Sequence, residues 1–370
     1  MKVLPLVLAV AFGFLNALLA SDPLVTVSSG PMLSVFRLDT AKGELVCLSE
    51  REFESGGVQA LSPSRELLYL GTHLDKEPAI ATLRVDPSGA LEVLDIAPSE
   101  MSPGDLTSDG QGRFLAGSNY REGRVQTWKL DREGIFRGEI ARKFTLEKKA
   151  HCARFSPDNR FLFVPATGPN KIFQLVFNQD SGEVVPNQPS SAPALALEGE
   201  AQQPRHLVFH PTLPVAYSTM ESGRPGAAVW DFEPSTGLLA IQTTHPTAEP
   251  GAVRISTADL HVSPDGRFLY VSNRDGLDRK SPTGRDVITL FSIDPESGGL
   301  TLEKQFGCER IPRSFAITPA GDFLVVGGQG DSRLGTYRID PKTGYLQRNQ
   351  QIELPGSPRW VGCFLPPTTE

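Results

Sequence analysis

Side chains that can transfer protons or bind anions recur around one repeated phrase of the chain. The phrase is a turn rich in Ser, Pro, Asp and Gly followed by an apolar run, as in VSPDGRFLYVS (262–272). Before or after its copies stand His151, Arg205, His206, Glu221, Asp259, His261, Arg274, Arg313, Gln329 and the pair Asn119-Tyr120. His and Glu serve as general acids and bases, and Arg is a planar donor for carboxylates, phosphates or oxyanions. Such a set is typical of a polar binding or catalytic site.

A structural explanation competes with this one. Buried charged residues must be paired, so each of these side chains could be half of a salt bridge between neighbouring repeats. The set as a whole favours a site, because its members occupy equivalent places in adjacent repeats and would converge. Four of the six histidines fall on three repeats, if His210, which replaces the turn Ser, is included.

A second phrase shows how the chain is organised. It is an alternating strand that ends in an acidic turn, as in TYRIDPKTGYL. Alternation with period two indicates half-buried strands, and the turn glycine supplies the positive φ of a hairpin. The seven turn glycines, spaced by 45 to 61 residues, are Gly43, Gly89, Gly134, Gly182, Gly237, Gly298 and Gly344.

Seven copies with room for four strands each predict an all-β fold, a seven-bladed β-propeller. The N-terminal segment lacks the first phrase, and PRWVGCFLP (358–366) at the other end supplies it. The ring would therefore be closed by N- and C-terminal strands that share one blade, which removes exposed sheet edges. A solenoid, the rival architecture, would have terminal caps instead. Residues 21–370 are thus predicted to form a single propeller domain.

Two stretches interrupt the period. Pro186–Pro204 is predicted to be a proline-rich connection, and Asp275–Asp286 lengthens a turn inside a blade. Long connections lie at the faces of a propeller, where binding residues are also found. Asp275 and Asp278 do not have the spacing of a calcium loop, so we expect them in a solvated loop.

The composition and the N-terminal residues indicate which classes of binding partner and which location to expect. The 370 residues contain 36 Lys and Arg against 43 Asp and Glu, a net charge of −7 that argues against nucleic acid. Residues 1–20 have one early Lys, an apolar run and small residues at the end, which predicts a signal peptide. We therefore expect an exported protein, periplasmic or secreted, with no membrane span after signal removal. Its oligomeric state stays open.

Four cysteines are too few for a disulfide framework in a chain of this length. Cys47 and Cys363 would both lie in the closing blade, where a disulfide is possible but unpaired core cysteines are favoured. Cys152 follows His151, and strand alternation points it away from the histidine. The chain has no cysteine or histidine cluster with zinc-ligand spacing, so no metal is expected.

Four segments together resemble one known family. HCARFSPDNRFLFVPATGPNKI, PRHLVFHPTLPVAYSTMES, ADLHVSPDGRFLYVSNR and PRSFAITPAGDFLVVGGQ are similar to the propeller-type lactonase family. That family includes bacterial 6-phosphogluconolactonases of propeller type and fungal carboxy-muconate cyclising enzymes. The resemblance implies a seven-bladed propeller that uses no metal or cofactor. By motif it places the active site on His151, Arg205, Glu221 and Arg274, with His206, Arg313 and Gln329 as further substrate contacts.

The activity implied by the resemblance is hydrolysis of a small-molecule lactone. His151 or Glu221 could take a proton from water while the other returns one to the ring oxygen, and Arg205 and Arg274 suit the developing oxyanion. An exported enzyme would rarely meet a phosphorylated cytosolic intermediate, so we expect an unphosphorylated sugar lactone or a related one. A muconate-type cyclising enzyme and a non-catalytic ligand-binding propeller remain alternatives.

Overall fold

The computed structural model describes residues 22–194, 202–248, 254–276 and 284–367. Within these ranges the regular secondary structure consists of strands alone, arranged in seven antiparallel sheets of four strands. The described part of the chain accordingly contains no helix long and apolar enough to cross a membrane. The predicted seven-bladed propeller is confirmed.

The sheets are numbered as blades in chain order. Blade 1 contains β1 (Leu24–Ser29), β2 (Met32–Asp39), β3 (Glu44–Glu52) and β28 (Pro358–Phe364). Blade 2 contains β4 (Gln59–Leu61), β5 (Leu67–Leu74), β6 (Glu77–Val85) and β7 (Leu91–Pro98). Blade 3 contains β8 (Asp105–Ser108), β9 (Phe114–Asn119), β10 (Arg124–Leu130) and β11 (Phe136–Thr145). Blade 4 contains β12 (Arg154–Phe155), β13 (Phe161–Ala166), β14 (Lys171–Phe177) and β15 (Val184–Pro193).

The remaining three blades follow the same plan. Blade 5 contains β16 (Pro204–Phe209), β17 (Val215–Met220), β18 (Gly226–Glu233) and β19 (Leu238–Pro246). Blade 6 contains β20 (Ile255–Val262), β21 (Phe268–Asp275), β22 (Val287–Ile293) and β23 (Leu300–Gly307). Blade 7 contains β24 (Pro312–Ile317), β25 (Phe323–Gly328), β26 (Arg333–Ile339) and β27 (Leu346–Glu353).

The two ends of the chain close the ring. The strand order of blade 1 is β28-β1-β2-β3, so the last strand pairs with the first. The innermost strands β16, β20, β24 and β28 each contact the next around the axis. Closure through a shared blade is therefore confirmed, and each blade is covered by a neighbour.

All seven predicted turn glycines have positive φ, between 68° and 87°. Each carbonyl of these glycines also accepts a hydrogen bond from a side chain of the preceding blade. The donors, in glycine order from Gly43 to Gly344, are Thr336, Ser49, Tyr69, Thr127, Asn187, Tyr217 and Tyr270. The hairpins thus shape each sheet and also bind neighbouring blades to each other.

Apolar layers between neighbouring sheets form the core. Between blades 4 and 5, for example, Phe163 packs with Trp230 and Phe232, and the first two are fully buried. Because each sheet lies between two others, its inner strands are buried on both faces and carry long apolar runs such as Phe161–Ala166. This packing gives the loops at the two ends of the ring a rigid support.

Two predictions about the irregular stretches were wrong in part. Residues 186–193 of the proposed connection belong to β15, the outer edge strand of blade 4, where proline is tolerated because no ladder N–H is needed. Asp275 is fully buried and forms an ion pair with Arg285 at 2.7 Å, so it is not in a solvated loop. Residues 195–201 and Asp278 lie outside the described residues.

The four cysteines all lie in the described ranges and none forms a disulfide. Cys363 pairs with Val25, Val25 with Phe36, and Phe36 with Cys47. The two cysteines are therefore three strand spacings apart, about 14 Å, which is too far for a disulfide. The favoured unpaired state is confirmed, but the core location is wrong for Cys47, which is exposed on an outer strand.

We expect Gly182→Ala to destabilise the fold more than Gly284→Ala. Both glycines have φ near 75°, but a Cβ at Gly182 would lie 2.3 Å from Phe114, whereas at Gly284 it would meet no described atom within 4 Å. Backbone strain alone costs about 1 kcal/mol, and strain with overpacking about 3 kcal/mol. Urea denaturation measures both free energies of unfolding. Equal losses would show that the contact between blades at Gly182 contributes nothing.

Candidate active site

An extra residue near the start of the innermost strand recurs around the ring. In blade 5, Pro204 pairs with Met220 whereas Leu207 pairs with Ser218, so three steps on the inner strand face two on its neighbour. Such a bulge re-aims side chains that strict alternation would separate. The same one-residue slip occurs at Thr257–Leu260, Pro312–Ser314, Pro358–Trp360 and Ala150–Arg154. Each bulge lies at the same end of the channel.

The bulges surround a cavity at this end, called the mouth cavity below. Its volume is about 610 Å³, within the range usual for small-molecule sites. Its lining residues include Tyr120, His151, Glu221, Arg313 and Arg359, which come from five different blades. Beside it, a cavity of about 430 Å³ is lined by Gln329 and by the same two arginines. The mouth therefore combines proton-transfer groups with cations.

Glu221 follows β17 and is shared by two guanidinium groups. Its Oε1 accepts a hydrogen bond from Arg274 Nη2 at 2.9 Å and lies 3.4 Å from Arg205 Nε, an ion-pair distance without hydrogen-bond alignment. Arg205 is only 1% exposed and also donates to the Ala258 carbonyl. Burial alone would raise the pKa of Glu221, but the two arginines lower it below its ordinary value. The carboxylate therefore stays ionised at neutral pH.

The arginines repel one another. Burial and the charges of Arg274 and Arg313 lower the pKa of Arg205 to about 9. Burial and the charges of Arg274 and Arg359 lower the pKa of Arg313 to about 10. Neither Arg313 nor Arg359 has an ion-pair partner among the described residues, so the mouth carries more positive than negative charge.

His151 lies in the bulge that precedes β12. Its ring packs edge-on against Tyr120 at 5.2 Å and against His206 at 5.3 Å between ring centroids. The residue is 7% exposed, and its Nδ1 has no hydrogen-bond partner among the described residues. Burial and the charge of Arg205 hold the pKa of His151 well below its ordinary value. The imidazole is thus neutral, and its unpartnered Nδ1 is itself buried.

The predicted residues do not all reach the mouth cavity in the same way. His151, Glu221 and Arg313 line it, and Gln329 lines the adjoining cavity. Arg205 and Arg274 lie behind Glu221 and act on the cavity through that carboxylate. His206 is buried below them in the channel.

Two of the counted histidines lie away from the mouth. His210 fills the turn after β16, where Nδ1 accepts the Leu213 N–H at 2.9 Å and Nε2 donates to the Gly266 carbonyl at 2.9 Å. Its role is structural. His261, which is near the other end of β20, lines a cavity of about 240 Å³ at the opposite end of the channel, called the opposite cavity below.

Sequence reasoning missed Arg359 and His73, which both line the mouth cavity. A signal for Arg359 was available, because Pro-Arg begins β28 as it begins β16 and β24. The equivalence was hard to see in the sequence, because blade 1 is formed from both ends of the chain and β28 is far from β1 in the sequence. His73 accepts or donates a hydrogen bond with Ser55 at 2.7 Å and has no counterpart in the repeat pattern.

Comparisons with known proteins agree with the fold. The family model described as "Lactonase, 7-bladed beta-propeller" matches residues 24–362. The chain is 32% identical over 333 residues to a protein from Enterobacter sp. (strain 638) named 6-phosphogluconolactonase, which covers 89% of this chain and 94% of that one. A protein of the same name from Cronobacter sakazakii is 30% identical and covers 81% and 85%.

A solved structure is similar in both fold and sequence. The periplasmic gluconolactonase of Pseudomonas aeruginosa superimposes with a TM-score of 0.82 at 25% identity. The superposition covers 92% of this chain and 98% of that one.

We expect Glu221→Gln to lower the free energy of unfolding by about 3 kcal/mol at pH 7, because Arg205 is left buried without a counter-charge. The lowered pKa of Glu221 means that its contribution is full above its ordinary value of 4.5 and is lost as the pH falls through the folded-state value. Urea denaturation should therefore show a larger difference from the unmodified protein at pH 7 than at pH 3.

Glu139→Gln is the matched control, since Glu139 pairs with Lys129 at 2.8 Å on the surface. Exposed pairs contribute about 0–1 kcal/mol. If the two substitutions had equal effects at pH 7, Glu221 would not be the essential counter-charge of the arginines.

Proposed function

The chain belongs to the lactonase family of seven-bladed β-propellers, and on that basis we propose that its mouth cavity hydrolyses an unphosphorylated sugar lactone outside the cytoplasm. The observation that carries the proposal is the convergence of His151, Glu221 and Arg313 on one cavity. The names of the relatives, 6-phosphogluconolactonase and periplasmic gluconolactonase, support a sugar acid lactone as the substrate.

Hydrolysis adds water to the lactone carbonyl and breaks the bond to the ring oxygen. The carbonyl oxygen becomes negative in the transition state, and the product is a hydroxy acid that ionises to a carboxylate. Arg313 and Arg359 line the cavity without partners among the described residues, so they are suited to hold first the oxyanion and then the carboxylate. Neither step requires a phosphate on the substrate.

Glu221, Arg205 and Arg274 have a supporting role in this proposal. The Glu221 carboxylate is paired with both guanidinium groups, which lower its pKa and keep it ionised. It therefore has no proton to give to a departing alkoxide. We assign to the three residues the orientation of the substrate hydroxyls, for which an ionised carboxylate is an acceptor.

His151 is the better candidate for proton transfer. One proton must pass from the attacking water to the ring oxygen as the ester bond breaks. The imidazole is neutral, because burial and the charge of Arg205 lower its pKa, and it lines the cavity. We assign to His151 the passage of this proton to the ring oxygen.

Export determines which lactone the protein meets. Residues 1–20 have the pattern of a signal peptide and lie outside the described residues, and the Pseudomonas aeruginosa relative is named periplasmic. We propose that the signal is removed and that residues 21–370 act as one domain. N-terminal sequencing of the exported protein tests this, and an intact Met1 would contradict it.

We expect the purified mature protein to open glucono-δ-lactone faster than the spontaneous reaction, with little or no activity on γ-butyrolactone. His151→Gln should lower kcat by about 10²-fold or more, because positioned proton transfer is lost. Arg359→Ala should raise KM, because the cavity loses a cation. A pH-stat measures all rates, with 6-phosphogluconolactone as a second substrate.

Arg267→Ala is the matched control, because Arg267 lies in the exposed turn before β21, where it pairs with Asp265 and donates to the Pro341 carbonyl, away from the mouth cavity. It should leave the rates unchanged. If the mature protein bound sugar lactones but opened none, the protein would be a ligand-binding propeller. Faster turnover of the phosphorylated lactone would contradict the unphosphorylated substrate.

A further inference from the structure

A second, much smaller cavity lies below the mouth cavity. Its volume of about 10 Å³ is close to that occupied by one water molecule. It shares Arg313 and Arg359 with the mouth cavity, and His206 and Trp360 with the opposite cavity. Arg205 and Ser314 are among the other lining residues. The small cavity therefore lies on the channel axis, in a polar setting that can hold water.

His206 meets this small cavity with a defined tautomer. Its Nδ1 lies 2.9 Å from Asp259 Oδ1, and an ionised carboxylate can only accept, so Nδ1 carries the proton and donates it. The other ring nitrogen, Nε2, is left as an acceptor and has no partner among the described residues. A water donating to Nε2 would complete the arrangement.

Asp259 is held in place from several directions. Its Oδ2 accepts the N–H of Phe315 at 3.4 Å, and its own N–H donates to Ser272 at 2.9 Å. His261 Nε2 lies 3.5 Å from the same Oδ2, too poorly aligned for a hydrogen bond. Burial alone would raise the pKa of Asp259, but His261 and His206 hold it well below its ordinary value. The carboxylate is therefore ionised and rigid.

We propose that His206, oriented by Asp259, is the general base that activates a water bound in the small cavity. The proposal rests on the proposed function and adds the residue that accepts the first proton. His206 Nε2 takes one proton from the water, and the hydroxide adds to the carbonyl carbon of a lactone in the mouth cavity. Asp259 stabilises the positive imidazolium that forms.

The protons balance without a further reactant. The imidazolium of His206 gives its proton to the departing ring oxygen through His151, whose ring contacts it at 5.3 Å between centroids. The new carboxylic acid then ionises and releases one proton to the solvent. His206 thus accepts the proton of the water, and His151 delivers a proton to the ring oxygen.

The competing explanation is that Asp259 and His206 merely connect blades 5 and 6. The chain contains a control for it. Asp105 is the equivalent residue of blade 3, because it stands four positions before the turn residue Asp109, as Asp259 stands four positions before Ser263. Its Oδ2 accepts the N–H of Ala153 at 2.9 Å. In blade 2, which precedes Asp105 as blade 5 precedes Asp259, the residue equivalent to His206 is Val58, four positions before Ser62. Cys152 beside Asp105 comes from the following blade, and burial and that carboxylate raise the pKa of its thiol. Asp105 therefore has the structural contact without the base.

The experiment compares His206→Gln, Asp259→Asn and Asp105→Asn in the mature protein with glucono-δ-lactone. We expect kcat to fall by about 10²-fold or more in His206→Gln and by at least about tenfold in Asp259→Asn. KM and the dissociation constant of gluconate should change by less than about threefold, because neither substitution removes a cavity arginine. Asp105→Asn should keep the unmodified kcat.

Each other outcome has a clear meaning. If the unmodified protein opened lactones and His206→Gln kept its kcat, the inference would be wrong while the proposed function stands. Equal losses in Asp259→Asn and Asp105→Asn would make Asp259 a structural residue and would also overturn it. If the unmodified protein opened no lactone, the proposed function itself would fail.

Discussion

One extra residue near the start of the innermost strand determines which side chains reach the channel. In a regular strand neighbouring residues point to opposite sides, so Arg205 and His206 could not both face the axis. The bulge between Pro204 and Leu207 removes that restriction, and the bulges of blades 4, 7 and 1 place His151, Arg313 and Arg359 at the mouth cavity.

The charged side chains at the mouth determine which chemistry the site can support. The whole chain has a net charge of −7, yet Arg205 and Arg274 share the carboxylate of Glu221 and Arg313 and Arg359 line the mouth cavity beside it. Glu221 makes the buried arginines tolerable, and the remaining positive charge is available to an anion that forms during reaction. Burial and the charge of Arg205 lower the pKa of His151 and keep it neutral, so proton transfer and anion binding are assigned to different residues.

Much of this arrangement could be predicted from the sequence, for physical reasons. Hairpins with positive φ need glycine, so the spacing of Gly43 to Gly344 revealed the blades. Equivalent places in a ring lie at one face, so the set around His151 and Arg313 could be expected together. What could not be predicted depends on contacts between distant residues. The sharing of Glu221, the orientation of His206 by Asp259 and the burial of Asp275 all depend on such contacts.

The central claim is that the bulge residues form one ligand site at a single mouth of the channel. A crystal structure of the mature protein with gluconate, the hydrolysis product of glucono-δ-lactone, tests it most directly. The account predicts the carboxylate of gluconate about 3 Å from the guanidinium groups of Arg313 and Arg359, with its hydroxyls toward Glu221. Gluconate bound in the opposite cavity beside His261, or on the outer surface of the ring, would contradict it.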